Sequence, residues 1–402
     1  MAVTLRDPTV WHWRFFVRWH GRDPPEHILS HEREFREAVH SAMRWTGANA
    51  EPVLIAELSP RHTSVRLATI PWHHNENEAK TLEASTLLDA FYLQTGCALL
   101  GTLQPGSFAQ LRARDWKLAR QGHAFLGEAF CLSAEVVDWG GVPTNVARAV
   151  LEAWLEESTS GVTGVDLGFG LLAADQGRAQ ETWVLLVPNR EDERARASQM
   201  IHRLFPPLLL SRVKGRWLAE QFERSLRHRL EEMERQLDNE LDLFGRGSRG
   251  LGMLEAASER IARLQLDMTS VVSETEELLA TLRISIKNAE RLLKDPLLVD
   301  KQVILYRLVA EDLVFAAQQV AADLRYSTIR QRQGDRELQS IAVMAEVRDA
   351  RWGRRTTILL GVFVAFGAAQ AFPELSPVAR LLIIVIGGLA VYAAIRWASR
   401  HQ

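Results

Sequence analysis

The chain has 402 residues, and its 48 Lys and Arg nearly balance its 50 Asp and Glu, giving a formal net charge of −2. With that balance and no basic face, the sequence gives no indication of a nucleic-acid partner. The only two cysteines, Cys97 and Cys131, have no CxxC spacing, which argues against a disulfide scaffold or a zinc site. We find no nucleophile motif such as GxSxG and predict no enzyme; the N-terminus also lacks a signal peptide.

Residues 1–205 alternate short apolar strands with helical segments, which predicts an α+β or α/β domain, expected to be cytoplasmic. The predicted strands are Val10–His20, Pro52–Leu58, Ser64–Trp72, His123–Asp138, Gly164–Leu172 and Thr182–Pro188. The predicted helices are Glu26–Trp45, Ala79–Gln94, Pro143–Glu157 and Glu191–Phe205.

Residues 206–355 change to long helices with apolar residues every three or four positions, which indicates a stalk or antiparallel bundle. The first carries a stripe from Phe222 to Phe244, and the second carries one from Leu254 to Leu293 and ends at Asp295-Pro296. The third begins near Asp300. We predict that it continues through the polar stretch Arg325–Ser340 toward the C-terminus.

The last part of the chain, residues 356–397, holds two apolar segments, Thr356–Phe372 and Val378–Trp397. Their length and their short polar connection predict a transmembrane hairpin, with a buried soluble hairpin as the alternative. Basic residues flank both outer ends, and the tail 398–402 is also basic; the flanking residues are Arg351, Arg354, Arg355, Arg396 and Arg400. The positive-inside rule then predicts a multi-pass inner-membrane protein with both termini cytoplasmic.

This order of parts, together with the stretch GAAQAFPEL at 367–375, is similar to the CorA-like divalent-metal channels. Members carry Gly-Met-Asn at the end of the first membrane helix, followed by an aromatic residue and often Pro-Glu. Here Phe372-Pro373-Glu374 matches, whereas Gly-Met-Asn is absent and only Gly367 is kept. The resemblance implies a homo-oligomeric ring of five subunits that conducts a divalent cation such as Mg²⁺, but the missing motif argues against carrying over Mg²⁺ selectivity.

The resemblance also implies that the first membrane helix lines a pore. The residues expected at the pore or its mouth are Thr357, Gly361, Val364, Gly367, Ala368, Gln370 and Glu374. An alternative is that Gly361 and Gly367 only permit close packing of membrane helices.

Other candidate sites are weaker. His73 and His74 precede two acidic residues and could bind a metal ion, although adjacent loop histidines more often face solvent. The run GVTGVDLGFG at 161–170 is glycine-rich, but its spacing matches no phosphate-binding loop, so we interpret its glycines as turn and strand residues. The tryptophans are concentrated in the N-terminal half and indicate core packing, with a tryptophan-lined ligand pocket as the alternative.

Three functions fit these predictions. The first is a CorA-like channel, with membrane lipid around it and a sensing domain that binds a small ligand or an activating protein. The second is a membrane-disrupting effector of a bacterial antiphage (antiviral defence) system. The third is a tail-anchored scaffold. Neighbouring genes would discriminate between transport and defence.

Overall fold

The structure is a computed structural model of the 402-residue chain. It describes residues 3–18, 25–46, 66–75, 78–87, 90–103, 124–139, 141–155, 161–175, 181–245 and 251–370, with isolated positions between 381 and 393. Contacts divide the chain into two units. The first comprises Met1–Ser225 and Thr275–Ala322, and the second comprises Leu226–Glu274 and Asp323–Gln402.

The first unit contains one sheet, to which all nine described strands belong. The strands are β1 Thr4–Val17, β2 Arg66–Asn75, β3 Glu78–Leu87, β4 Ala90–Leu99, β5 Thr102–Leu103, β6 Phe125–Asp138, β7 Val162–Asp166, β8 Leu171–Asp175 and β9 Glu181–Pro188. Their order is β2-β3-β4-β1-β6-β9-β8-β7, and β5 pairs with the beginning of β1. Among the described strands, β6 and β9 form the one parallel pair; the other pairs are antiparallel.

Eight α-helices lie in the described part of the chain. They are α1 Pro25–Thr46, α2 Pro143–Leu155, α3 Glu191–Gln199, α4 Phe205–Gln221, α5 Arg227–Gly245, α6 Leu251–Leu292, α7 Gln302–Val309 and α8 Glu311–Gln370. Two π-helical turns, Met200–Leu204 and Phe222–Leu226, join α3 to α4 and α4 to α5. The helical run Glu191–Gly245 therefore continues without a loop. A 3₁₀ turn, Pro296–Lys301, precedes α7.

Alternation along β1 determines how the sheet is covered, because successive side chains of a strand point to opposite faces. Trp13 and Phe15 belong to a core shared with α3, α4 and α7. Val10 packs with α2, and Phe16 packs with Phe35 of α1. The sheet of the first unit thus lies between α1 and α2 on one face and α3, α4 and α7 on the other.

The predicted helix Ala79–Gln94 is wrong, because this segment forms the β3–β4 hairpin. Glu83 pairs with Gln94, and the two strands turn between Leu87 and Ala90. Every side chain of β4 from Ala90 to Leu99 is buried. A strand buried on both faces loses the alternating pattern, and its apolar run then resembles a buried helix. The predicted strand Pro52–Leu58 lies outside the described residues.

The second unit is a three-helix bundle made of α5, the first part of α6 and the later part of α8. Ion pairs join Arg229 to Glu274 at 3.0 Å and Arg260 to Glu240 at 3.1 Å, so α5 and α6 are antiparallel. The Ser327 hydroxyl donates to Glu234 Oε1 at 2.6 Å, on the face where α8 meets α5. α8 runs unbroken through the polar stretch Arg325–Ser340, which confirms that prediction.

The prediction of a transmembrane hairpin is wrong, because none of the described helices is long and apolar enough to cross a membrane. The first predicted segment coincides with the end of α8, where only Thr356–Gln370 is described. The second segment, Val378–Trp397, lies outside the described residues apart from isolated positions.

The localisation that depended on the hairpin is wrong on the same finding. It comprised a multi-pass inner-membrane protein with both termini cytoplasmic. The positive-inside argument from the flanking arginines loses its basis, since it orients only segments that span the bilayer.

Candidate functional site

A polar cleft opens in the first unit where the carboxyl ends of β6 and β9 meet α3 and the first π turn. This β6–α3 cleft has a volume of about 170 Å³, and its polar and aromatic lining residues include Asp7, Trp11, Ser133, Glu135, Arg194 and His202. Ligands of sheets with parallel strands bind outside the carboxyl ends of those strands. The cleft occupies that position at the β6–β9 pair.

Trp11 and His202 form an aromatic wall of the cleft. Their rings meet edge to face, with centroids 4.9 Å apart and an interplanar angle of 87°. The Trp11 indole N–H donates to Ser133 Oγ at 2.8 Å, which fixes the ring and uses one lone pair of the hydroxyl. Behind the ring lies Gly96, at which an added Cβ would stand 2.7 Å from Trp11 Cζ3. The glycine is therefore required for the close approach of the indole.

His202 lies within the π turn Met200–Leu204, and a buried amide holds its ring. Gln94 Nε2 is 3.1 Å from His202 Nδ1, and Gln94 is 2% exposed. The direction of this hydrogen bond is set by the tautomer of the imidazole. The other amide atom, Gln94 Oε1, is buried and has no hydrogen-bond partner in the described part of the chain. π-Helical turns occur frequently at functional sites.

Two carboxylates and one guanidinium give the cleft lining a formal charge of −1. Arg194 binds Glu135 Oε1 at 3.3 Å, whereas the buried Glu135 Oε2 has no hydrogen-bond partner among the described residues. Asp7 Oδ1 accepts the backbone N–H of Gly101 at 2.7 Å. Asp7 also has a φ of 46°, in the left-handed region that non-glycine residues seldom adopt. An uncompensated carboxylate oxygen and an unusual backbone conformation thus occur at the same cleft.

A second polar cluster, on the opposite face of the sheet, has a structural role. His12 Nε2 contacts Glu128 Oε2 at 3.1 Å, and the imidazole stacks on Phe130 with a centroid distance of 4.1 Å. Burial lowers the pKa of His12, with the Glu128 carboxylate acting in the opposite direction. The guanidinium of Arg14 lies 5.3 Å from the Phe125 ring centroid. These residues lie on the face of the sheet that α1 and α2 cover.

A third cluster joins β9 to three helices inside the first unit. Arg212 of α4 donates to Glu181 Oε1 at 2.7 Å and to the Val309 carbonyl at 2.9 Å. The same guanidinium reaches Asp312 Oδ1 at 3.1 Å, and Arg216 binds Glu181 at 2.5 Å. The charged groups of this cluster bind one another, so we assign the network to packing rather than to ligand binding.

None of the predicted pore and flanking residues is among the described lining residues of the cleft. The backbone of α8 includes Arg351, Arg354, Arg355, Thr357, Gly361, Val364, Gly367, Ala368 and Gln370, whose side chains lie outside the description. Glu374, Arg396 and Arg400 lie wholly outside the described residues.

The weaker sequence candidates have different outcomes. His73 and His74 lie on β2, paired with Lys80 and Ala79, and their side chains lie outside the description. Across the described ranges, no group of three or more His, Cys, Asp or Glu residues could hold a metal ion. In the glycine-rich run, Gly164 lies on β7, and Gly168 has a φ of 82° in the β7–β8 turn. The interpretation as strand and turn glycines is confirmed.

Sequence reasoning missed the polar lining of the cleft, namely Ser133, Glu135, Arg194 and His202. One signal was present: Ser133 and Glu135 alternate along β6 on the face of buried Cys131, where an apolar residue is expected. Comparison with known proteins adds no further assignment. No protein-family model matches the chain, and no curated protein matches it.

Proposed function

We propose that this protein is a homo-oligomeric ligand sensor whose β6–α3 cleft binds a small molecule carrying an ammonium group. The observation behind this proposal is the buried Glu135 Oε2, which lacks a hydrogen-bond partner within the described residues and borders the cleft. A buried carboxylate oxygen without a donor costs free energy, and a ligand that supplies the donor recovers it.

The other lining groups favour an amine over an anion. An ammonium group has three N–H donors, which match the Glu135 carboxylate, the Ser133 hydroxyl oxygen and the Asp7 carboxylate. The nearby aromatic wall of Trp11 and His202 also favours a cation, since ring faces attract positive charge. Arg194 remains available at the rim for a carboxylate on the same ligand, as in a small zwitterion.

The position of His202 provides a route from binding to the long helices. Its π turn, Met200–Leu204, belongs to the helical run that continues covalently from Glu191 to Gly245. A ligand that contacts His202 acts on a turn that already departs from α-helical hydrogen bonding. We propose that ligand binding changes the winding of this turn and the stability of the helix that follows it.

An exposed apolar stripe on α8 supports the homo-oligomer. Tyr326, Ile329, Val343 and Val347 fall on the 3–4 spacing of a heptad seam, with Gln333, Arg336 and Ser340 at the intervening positions. Ile329 is 48% exposed and Val343 is 58% exposed, so this stripe faces away from the bundle of its own subunit. We propose that a second copy of the chain covers it.

Charges beside the stripe fit a parallel arrangement of two copies. With Tyr326 and Ile329 as a and d, Arg332 faces Glu337 of the neighbouring copy. The one like-charged pairing in this register involves Arg330. Asp238 of the same subunit lies 3.4 Å from the Arg330 guanidinium and already offsets its charge. An assembly of five subunits stays a prediction from the resemblance.

Ligand binding is tested with the full chain labelled with ¹⁵N-tryptophan. Methylammonium, ethanolammonium and glycine are the probes, acetate is the control anion, and the indole resonance of Trp11 is assigned with Trp11→Phe. We expect the amines, but not acetate, to shift this resonance. Glu135→Gln should weaken binding at least about tenfold, because the neutral amide keeps an acceptor oxygen but loses the charge-assisted hydrogen bond to the ammonium group. Equal binding by Glu135→Gln, or no shift with any amine, would refute the proposed ligand class.

Assembly is tested by sedimentation velocity of the full chain, whose mass is 45.4 kDa. We expect a multiple of that mass and dissociation of the assembly by Ile329→Glu combined with Val343→Glu. Leu266→Glu is the matched control, because Leu266 is a 73% exposed apolar residue on α6 outside the stripe. A monomeric wild type, or a double variant that keeps the wild-type mass, would refute the proposed interface.

The channel, the membrane-disrupting effector and the tail-anchored scaffold all required the transmembrane hairpin. We therefore carry forward only the parts of those hypotheses that do not depend on it, which are the sensing domain and the homo-oligomer. An activating protein at the N-terminal domain stays a prediction.

A further inference from the structure

A second cleft in the first unit lies between α4 and the last turn of α6. This α4–α6 cleft has a volume of about 450 Å³, and its lining includes Pro207, Leu210, Asn288, Arg291, Leu292 and Lys294. Small-molecule sites in proteins have volumes of roughly 300–1,000 Å³. Its lining shares no residue with the β6–α3 cleft, so the two clefts can be tested independently.

Two cations at this cleft have no partner in the described part of the chain. The side chains of Arg291 and Lys294 make no ion pair or hydrogen bond there. The acidic residue of the lining, Asp295, is already engaged through both oxygens. Its Oδ2 accepts from Arg203 at 3.2 Å, and its Oδ1 accepts the backbone N–H of Leu297 at 3.0 Å. The cleft therefore presents unneutralised positive charge.

Helix capping does not account for these cations. Basic residues near a helix C-terminus often stabilise it by binding its last carbonyls. Here backbone N–H groups bind three of the last four carbonyls: Leu293 N–H donates to Ala289 at 3.0 Å, and Asp295 N–H donates to Leu292 at 3.1 Å. The Arg291 carbonyl accepts from the Lys294 N–H at 3.2 Å. Both basic side chains thus remain available to a ligand.

The rest of the lining defines what the anion must carry. Pro207, Leu210 and Leu292 give the cleft an apolar part. The Ser211 hydroxyl donates to the Pro207 carbonyl at 2.9 Å, so its oxygen can only accept from a ligand. Asn288 can donate or accept. We propose that the α4–α6 cleft binds an organic carboxylate with an apolar body, its carboxylate held by Arg291 and Lys294.

A carboxylate fits this cleft better than a phosphate group. A guanidinium forms two parallel hydrogen bonds with a carboxylate, and one ammonium group completes the neutralisation. Phosphate sites generally add backbone N–H groups from a glycine-rich loop or a helix N-terminus. The lining of this cleft includes the C-terminal turn of α6, where carbonyls rather than N–H groups point outward.

The experiment is a ¹⁹F NMR titration of the full chain with 4-fluorobenzoate, and 4-fluorobenzamide is the neutral isostere. We expect millimolar or tighter binding of the acid and much weaker binding of the amide. Arg291→Gln and Lys294→Gln should each weaken binding of the acid at least about tenfold, as expected for loss of a charged hydrogen bond. Arg283→Gln, an exposed charge about two turns earlier on the same helix, should leave binding unchanged.

The outcomes separate this proposal from the alternatives. Equal binding of acid and amide would show apolar adsorption and overturn it. Equal weakening by Arg283→Gln and Arg291→Gln would show nonspecific attraction to a basic surface and would also overturn it. Circular dichroism and the urea unfolding midpoint of each variant establish that the exposed substitutions keep the fold. Tighter binding of inorganic phosphate than of 4-fluorobenzoate would contradict the assigned ligand class.

Discussion

Arg212→Met tests how strongly the buried charge network holds the first unit together. The Arg212 and Glu181 side chains are 7% and 8% exposed, and the guanidinium has three acceptors: Glu181, the Val309 carbonyl and Asp312. Breaking a buried pair by removing one partner costs about 3–5 kcal/mol. Because Arg216 still binds Glu181 at 2.5 Å, we expect a loss at the lower end, about 3 kcal/mol.

The assay is urea unfolding of the full chain, followed by far-ultraviolet circular dichroism and tryptophan emission. Arg224→Met is the matched control, because Arg224 pairs with Glu220 at 2.9 Å but is 74% exposed. Removal of that exposed pair should cost less than about 1 kcal/mol.

A double-mutant cycle isolates the Arg212–Glu181 interaction. Glu181→Gln alone removes a charge but keeps an acceptor, so we expect a cost of about 1–2 kcal/mol. The combined variant should lose less than the sum of the single variants, by about 1–2 kcal/mol. Strict additivity, or a cost of Arg212→Met no larger than that of Arg224→Met, would refute the reasoning.

Three further substitutions or treatments test the core and the bundle. Gly96→Ala should lower stability by about 1–3 kcal/mol and shift the Trp11 indole resonance, since the new methyl group meets the ring; an unchanged unfolding midpoint would contradict this. Cys131 should resist iodoacetamide in the folded chain and react in urea, because burial raises its pKa; equal rates in both states would count against it. Burial also raises the pKa of Glu234, so its ionised form opposes folding above that pKa. Glu234→Gln should therefore be neutral or stabilising at pH 7. The difference in free energy of unfolding between the variant and the wild type should diminish as the pH falls through the raised pKa. A variant that is destabilised at pH 7 and recovers in acid would contradict this expected direction.

The helical part of the fold was predictable because long amphipathic stripes carry their own signal. α8 continues through Arg325–Ser340 despite its polar residues, since bundle contacts there involve polar side chains. The hairpin β3–β4 was not predictable from spacing, because β4 is buried on both faces and its apolar run also fits a helix. The apolar composition of the C-terminal segments predicted membrane helices, whereas none of the described helices is long and apolar enough to cross a membrane.

The β6–α3 cleft could not be derived from sequence because sheet pairing brings its residues together. Trp11 and Ser133 are 122 positions apart, and Gln94 and His202 are 108 apart. Strand order and register determine the Trp11–Ser133 contact, whereas packing of the π turn on the sheet determines the Gln94–His202 contact. Neither contact is encoded in any local pattern. What the sequence did contain was the polar pair Ser133 and Glu135 on an otherwise buried strand face. Polar residues at positions where the strand pattern calls for apolar ones are expected at functional sites.

The polar contacts inside the bundle determine where the exposed α8 stripe is presented. Ser327 is 2% exposed and donates to Glu234, while Gln331 donates to Thr269 Oγ1 at 2.6 Å. A shift in register would bury Ser327 without its acceptor, at a cost of about 1–3 kcal/mol. Apolar contacts alone tolerate such shifts better than hydrogen bonds do, and a polar residue in a helical core commonly fixes register. Because the inner face of α8 is fixed in this way, its outer residues occupy fixed positions too, as a specific interface between copies requires.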